Sequence, residues 1–140
     1  MKYQAKYQDV DPGTYIHLRV SSGLSPKTLE AAKIGLNNSI CSVVTLDVTN
    51  NDQPIGMGRI IGDGACHCQI VDICVLPAHQ KQGLGKLIMQ YLKAFIDESL
   101  PASCYVSLIA DGDAYRLYEL YGFKEVWPAS RGMAFSKAVK

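Results

Sequence analysis

Charge is scarce in this chain and nearly balanced: 19% of its 140 residues are charged, and the formal net charge is +1. No basic cluster or run stands out, so nucleic acid is not expected as a partner. No stretch reaches the roughly eighteen apolar residues of a membrane-spanning helix, so no membrane partner is expected. Met1-Lys2-Tyr3-Gln4 leads straight into polar chain without the features of a signal peptide, and a soluble cytoplasmic protein is the expectation. Repeats, low-complexity tracts and a linker are also missing. At this length one domain over residues 1–140 is expected, large enough to bury a core. The five cysteines are odd in number and lack C-x-x-C spacing. Cys41, Cys74 and Cys104 lie in apolar, strand-like runs and read as buried thiols of a reducing compartment. Cys66-His67-Cys68 resembles a metal clip, but in a strand the cysteines face one side and the histidine the other, so no metal is expected.

What is present is a strand, a loop and a helix start. Val71-Asp72-Ile73-Cys74-Val75-Leu76 is an apolar run stopped by Pro77. Gln80-Lys81-Gln82-Gly83-Leu84-Gly85-Lys86 follows, and Leu84, Leu87, Ile88, Tyr91, Leu92 and Phe95 continue at helical spacing. Unpartnered amides and the helix dipole favour an anion at such a helix start, and glycine lets it approach closely. A P-loop would need glycine and Ser/Thr where Gln80 and Leu87 stand, and a dinucleotide fingerprint would need a third glycine after Gly83-Leu84-Gly85. The pattern Q/R-x-x-G-x-G/A is filled by Gln80, Gly83 and Gly85.

The rest of the chain reads as alternating elements. Residues 2–8 form a first strand that Pro12 and Gly13 break, and residues 14–22 form a short helix. Ser25-Pro26 has the form of an N-cap with proline at the first helical position, opening a second helix that ends at Asn37-Asn38. Strands are expected over 40–48, 55–61 and 65–75, with turns at 50–54 and 62–64. A helix over 83–97, a strand over 105–109 and a helix over 114–121 stopped by Gly122 come next. Residues 123–126 and 133–139 are expected to pair as closing strands.

Downstream, Asp111-Gly112-Asp113-Ala114-Tyr115-Arg116-Leu117-Tyr118-Glu119-Leu120-Tyr121-Gly122-Phe123 is similar to N-x-x-A-x-x-x-Y-x-x-x-G-F, with Asp111 in place of Asn. With both signatures in order, the chain resembles the GCN5-related N-acetyltransferase (GNAT) superfamily over about residues 55–126. The resemblance implies an α/β (α+β) GNAT fold: a mixed central sheet, splayed between central strands, with helices on both faces. It implies acetyl-CoA as cofactor. The backbone of Ile73, Cys74 and Val75 would bind its pantetheine arm, and the amides from Gln82 through Gly83, Leu84 and Gly85 to Lys86 its pyrophosphate. Gln80, Lys81, Asp111, Tyr115 and Tyr118 join the cofactor contacts.

Tyr118 matches the family tyrosine and is the candidate general acid for the departing thiolate. The base is open. Many members carry a carboxylate where this chain has Val71. Asp72 is the acid within the strand, where burial would raise its pKa, or else it ties loops together. His67 and a water chain are further options. Lys81 and Lys86 either pair with phosphates or stay solvated. His79 reads as structural. Arg59, Arg19 and His17 either bind an acidic group of the acceptor or form a surface salt bridge. The expected function is acetyl transfer to a primary amine of a small molecule, aromatic or polyamine-like; a homodimer stays open. The alternatives are a catalytically silent acyl-CoA-binding sensor or partner module, and a regulatory domain for adenine nucleotides.

Overall fold

A computed structural model describes residues 2–137. The chain divides into two compact units, one reaching Leu108 and one starting at Ile109. In the first, the elements run β1 (Tyr3–Tyr7), α1 (Pro12–Ser21), α2 (Leu29–Leu36), β2 (Cys41–Asp47), β3 (Gln53–Gly62), β4 (His67–Val75), a 3-10 turn (Pro77–His79), α3 (Leu84–Ser99) and β5 (Tyr105–Ser107). The sheet order is β1-β2-β3-β4-β5, antiparallel except for the parallel β4–β5 pair. The sheet is therefore mixed.

Helices cover both faces. Met57 packs with Tyr15, Leu18, Ala32 and Leu36 from α1 and α2. At the next residue, Gly58, a Cβ would stand 2.8 Å from Ile88 and 3.2 Å from Leu92 of α3. Adjacent strand residues face opposite ways, so α3 lies across the sheet from α1 and α2. Leu84, Ile88, Met89 and Leu92 are the buried stripe of α3, and Gly58 is what lets that helix come so close. The β2–β3 turn matches the sequence reading. Gln53 donates its amide to Asn50, and both Asn51 and Asp52 take φ of +53, the left-handed pair of a tight hairpin.

Several expectations need correcting. Pro12-Gly13 opens α1 rather than preceding it, because the Asp11 carboxylate caps the Thr14 amide and proline suits the first turn. Ser25-Pro26 does not open α2. Thr28 is the cap, its hydroxyl accepting from the Ala31 amide, and Ser25 instead accepts from the Arg19 side chain. β4 starts at His67, not residue 65, because the Asp63 carboxylate collects the amides of Ala65, Cys66 and His67 into a turn. Cys68 is buried with Cys41 and Cys74, while Cys104 is half-buried and Cys66 exposed.

The second unit holds a 3-10 turn (Gly112–Ala114) running into the short helix α4 (Tyr115–Glu119). Gly122, at φ +91, ends it by donating to the Glu119 carbonyl. The closing strands expected over 123–126 and 133–137 do not form: Met133 and Phe135 are 87% and 90% exposed and carry no ladder. Residues 138 and 139 of that expectation lie outside the described residues. Among the described residues, no helix is long and apolar enough to cross a membrane, and no group of three or more His, Cys, Asp or Glu could hold a metal.

Candidate active site

Hydrogen bonds fix which way each β4 residue turns its backbone. His67 accepts from the Asp63 amide and faces β3; Cys66 accepts from the Tyr105 amide and faces β5. Alternation carries this along the strand, so 68 and 70 face the β5 side. The register then slips. Val71 lies opposite Arg59, but Cys74 lies opposite Met57, so Asp72 and Ile73 together oppose Gly58. Asp72 takes φ +62, and the strand carries a β-bulge there. Past the bulge, Leu76 donates to the Ile55 carbonyl, so 74 and 76 face β3 while Ile73 and Val75 face away from it.

Among the described residues, that outer edge has no strand on it. β4 and β5 pair only from His67↔Tyr105 to Gln69↔Ser107, and among the described residues no strand pairs with β4 beyond that point on the β5 side. The sheet splays where Ile73 and Val75 present their backbone. Cys74 differs from both: its backbone faces β3 and its side chain packs in the core beside Tyr15 and Leu18.

The loop after β4 is anchored at both ends. Gln80 Nε2 donates to the Val75 carbonyl at 3.0 Å. The Tyr3 hydroxyl lies 2.7 Å from His79 Nδ1 and donates to Gln82 Oε1 at 3.3 Å, so His79 is structural, tying the loop to β1. Lys81 takes φ +63 and Gly83 φ +80. Gly83 is the N-cap of α3, no side chain caps the helix, and nothing lies within 4 Å of where its Cβ would be. The Gly83 cap thus faces open space at the start of α3, with the helix dipole behind it. An unpaired strand edge leading into an uncapped helix start fits an extended ligand ending in phosphates, as the acetyl-CoA expectation requires. Gln82 to Lys86 would hold the phosphates.

Asp72 lies inside the first unit. Its side chain is 6% exposed, and its oxygens accept from Arg19 Nη1 at 2.5 Å, Arg59 Nε at 2.8 Å and the Tyr15 hydroxyl at 2.9 Å. Arg19 also donates from Nε and Nη2 to Ser25, and Arg59 Nη1 to the Gly35 carbonyl and Ser39 Oγ. Both guanidinium groups stand by the Tyr15 ring, 5.9 and 5.4 Å from its centroid. The expected surface salt bridge is therefore a buried cluster, because the bulge turns Asp72 toward α1. His17 is outside it, exposed and 3.3 Å from Ser21 Oγ. Tyr15 is the member the sequence reading missed; only its place one turn before Arg19 signals it. Desolvation, then the Asp72 charge, raise the Tyr15 pKa.

In the second unit, Asp111 precedes the turn into α4, accepting from the Ala114 amide, and Tyr118 is half-buried. Burial, and then the Asp111 carboxylate, push the Tyr118 phenol above its ordinary value. Phe123 donates back to the Tyr118 carbonyl. Tyr115 carries the Arg116 guanidinium 5.7 Å from its ring centroid.

The sequence model of the Acetyltransferase (GNAT) domain matches residues 37–125, which takes in β2 to α4 and both signatures. The chain belongs to the GNAT acetyltransferase family. A probable acetyltransferase of unknown function from meticillin-resistant Staphylococcus aureus is 43% identical, with a TM-score of 0.88 over 96% of this chain and 98% of that one. A GNAT family acetyltransferase from Streptococcus pneumoniae, 24% identical, shares the fold at a TM-score of 0.78 over 98% and 99% of the two chains. The chloroplastic serotonin N-acetyltransferase 2 of Oryza sativa subsp. japonica is 33% identical over 86 residues, 61% of this chain. This chain spans 42% of that rice relative's length. The GNAT family generally uses acetyl-CoA as its co-substrate.

Proposed function

We propose that this GNAT protein is an acetyl-CoA-dependent N-acetyltransferase acting on a primary amine of a small molecule by direct attack. The observation that carries the reading is the unpaired β4 edge at Ile73 and Val75, leading into the uncapped start of α3 at Gly83. Acetyl-CoA supplies the activated acyl group as a thioester. The Ile73 and Val75 backbone would align its pantetheine arm, and the Val75 amide would polarise the carbonyl. The amides from Gln82 to Lys86 would take the pyrophosphate, with Lys81 and Lys86 beside them. Tyr118, on the strength of its place in the second signature, would give its proton to the departing sulfur and regain one from solvent. Five free thiols suit a reducing compartment such as the cytoplasm.

A silent acyl-CoA-binding module is the second reading, and one observation favours it. The acid of β4, Asp72, has both oxygens engaged by two guanidinium groups and a phenol. The test is release of free thiol from acetyl-CoA against amines, amino acids, aminoglycosides and peptides. Serotonin belongs on the panel because the rice relative is named for it. Amine-dependent release supports the enzyme; CoA binding without release from any amine supports the module.

A further inference from the structure

We propose that the Arg19–Asp72–Arg59 cluster is a positioning device, pinning the β4 bulge and so selecting which backbone groups meet the cofactor. The proposal rests on the acetyl-CoA reading above and identifies what holds that site in shape. Asp72 has a Cβ and yet takes φ +62, a backbone that L-residues disfavour and that surrounding structure must hold. The holding is visible atom by atom. Oδ1 is taken by Arg19, and Oδ2 by Arg59 and Tyr15. Neither arginine can follow if the carboxylate moves, because Ser25 fixes Arg19 while Gly35 and Ser39 fix Arg59. The strand is thereby fastened to α1, to the loop after α1 and to the end of α2.

The bulge matters because strand pairing has a period of two. Without the extra residue, 73 and 75 would turn toward β3, and the core residue Cys74 would face the unpaired edge. One carboxylate thus decides the edge that a pantetheine arm would read. Asp72 on this view is a positioning residue, not the proton acceptor. Its oxygens are spent on holding the backbone.

The experiment compares the parent with Asp72→Ala, Asp72→Asn and Tyr15→Phe, using melting curves to confirm folding. Two readouts are taken: backbone carbon shifts of residues 71–75 without ligand, and CoA affinity by calorimetry with acetyl-CoA kinetics. Asp72→Ala is expected to lose the left-handed shift signature at position 72 and to weaken CoA about tenfold or more, roughly 1.4 kcal/mol. Asparagine tolerates the left-handed backbone and still accepts hydrogen bonds. Asp72→Asn should therefore fall between alanine and the parent, its loss appearing in KM for acetyl-CoA rather than kcat. Tyr15→Phe should keep the signature, since both ion pairs remain.

Retention of the signature and of CoA affinity in Asp72→Ala would overturn the proposal. So would a kcat loss on the order of 10²-fold in Asp72→Asn with CoA affinity intact, the mark of general-base chemistry. If Asp72→Ala does not fold, Arg59→Lys takes its place: loss of the signature with weakened CoA supports the proposal, and retention of both overturns it. If the parent binds no CoA, the acetyl-CoA reading fails by itself, and the shifts of 71–75 alone decide whether the cluster pins the bulge.

Discussion

Arg59 Nε lies 2.8 Å from Asp72 Oδ2, joining β3 to β4 at the place where their register slips by one residue. The two arginines bring two positive charges to one carboxylate, and all three side chains are at most 10% exposed. A cluster this buried holds geometry more than it adds stability, because desolvation opposes the Coulomb attraction.

Breaking it on one side is costly all the same. Asp72→Ala leaves two buried guanidinium groups without their counter-charge and should destabilise the fold by about 3–5 kcal/mol. Tyr15→Phe removes one hydrogen bond and should cost about 1 kcal/mol. Urea unfolding of both variants measures the difference, and equal losses would mean the charges are solvated.

The close approach of α3 to the sheet makes a second prediction. In Gly58→Ala, the new Cβ would sit 2.8 Å from Ile88 Cγ2, so overpacking should cost about 1–3 kcal/mol. Leu92→Ala opens a cavity at the same interface, where Leu92 has no exposed surface, and should cost about 2–5 kcal/mol. Gly83→Ala meets no neighbour, so its cost should be only the left-handed strain at φ +80, about 1–2 kcal/mol.

The buried thiols set a pH dependence. Burial pushes Cys41 and Cys74 up to about 11 from an ordinary 9.0. The folded state therefore binds these protons more tightly than the unfolded chain. Their contribution is complete below about pH 9 and is lost as pH rises toward about 11, so stability should fall across that window. Unfolding midpoints measured from pH 8 to 11 check this, and Cys74→Ala should flatten the slope. At pH 8 an aromatic disulfide reagent should label exposed Cys66 well before either buried thiol.

Tyr118→Phe separates chemistry from binding. Loss of a general acid should lower kcat by roughly 10²–10⁴-fold while the variant still binds CoA. Because the phenol is raised, it stays protonated through neutral pH, and the alkaline limb of kcat should lie above that of an ordinary tyrosine. A limb near neutral pH that survives in Tyr118→Phe would assign the acid elsewhere.

Much of the site's frame is legible in the sequence because it is local. The apolar run of β4, its stop at Pro77, the glycines of the loop and the stripe of α3 all lie within residues 71–92. What cannot be read there depends on distant partners. The partners of Asp72 at the bulge are Arg19, which lies 53 residues from it in sequence, and Tyr15, which lies 57 away. Nothing near Asp72 announces a left-handed backbone. Ser25-Pro26 has the right local chemistry to cap α2, yet the Arg19 side chain claims Ser25 and the cap falls to Thr28. The segments 123–126 and 133–139 read as closing strands across a Pro- and Gly-bearing turn, but local sequence does not supply the backbone partner that a ladder requires.

The most direct measurement is a CoA titration followed by backbone amide resonances of the full chain. Binding at the splayed edge and the α3 start predicts shifts concentrated at Ile73, Val75 and Gln82 to Lys86, with inorganic pyrophosphate reproducing only the Gln82–Lys86 part. Saturable CoA binding that leaves Ile73 and Val75 unmoved, or no binding at all, would contradict it.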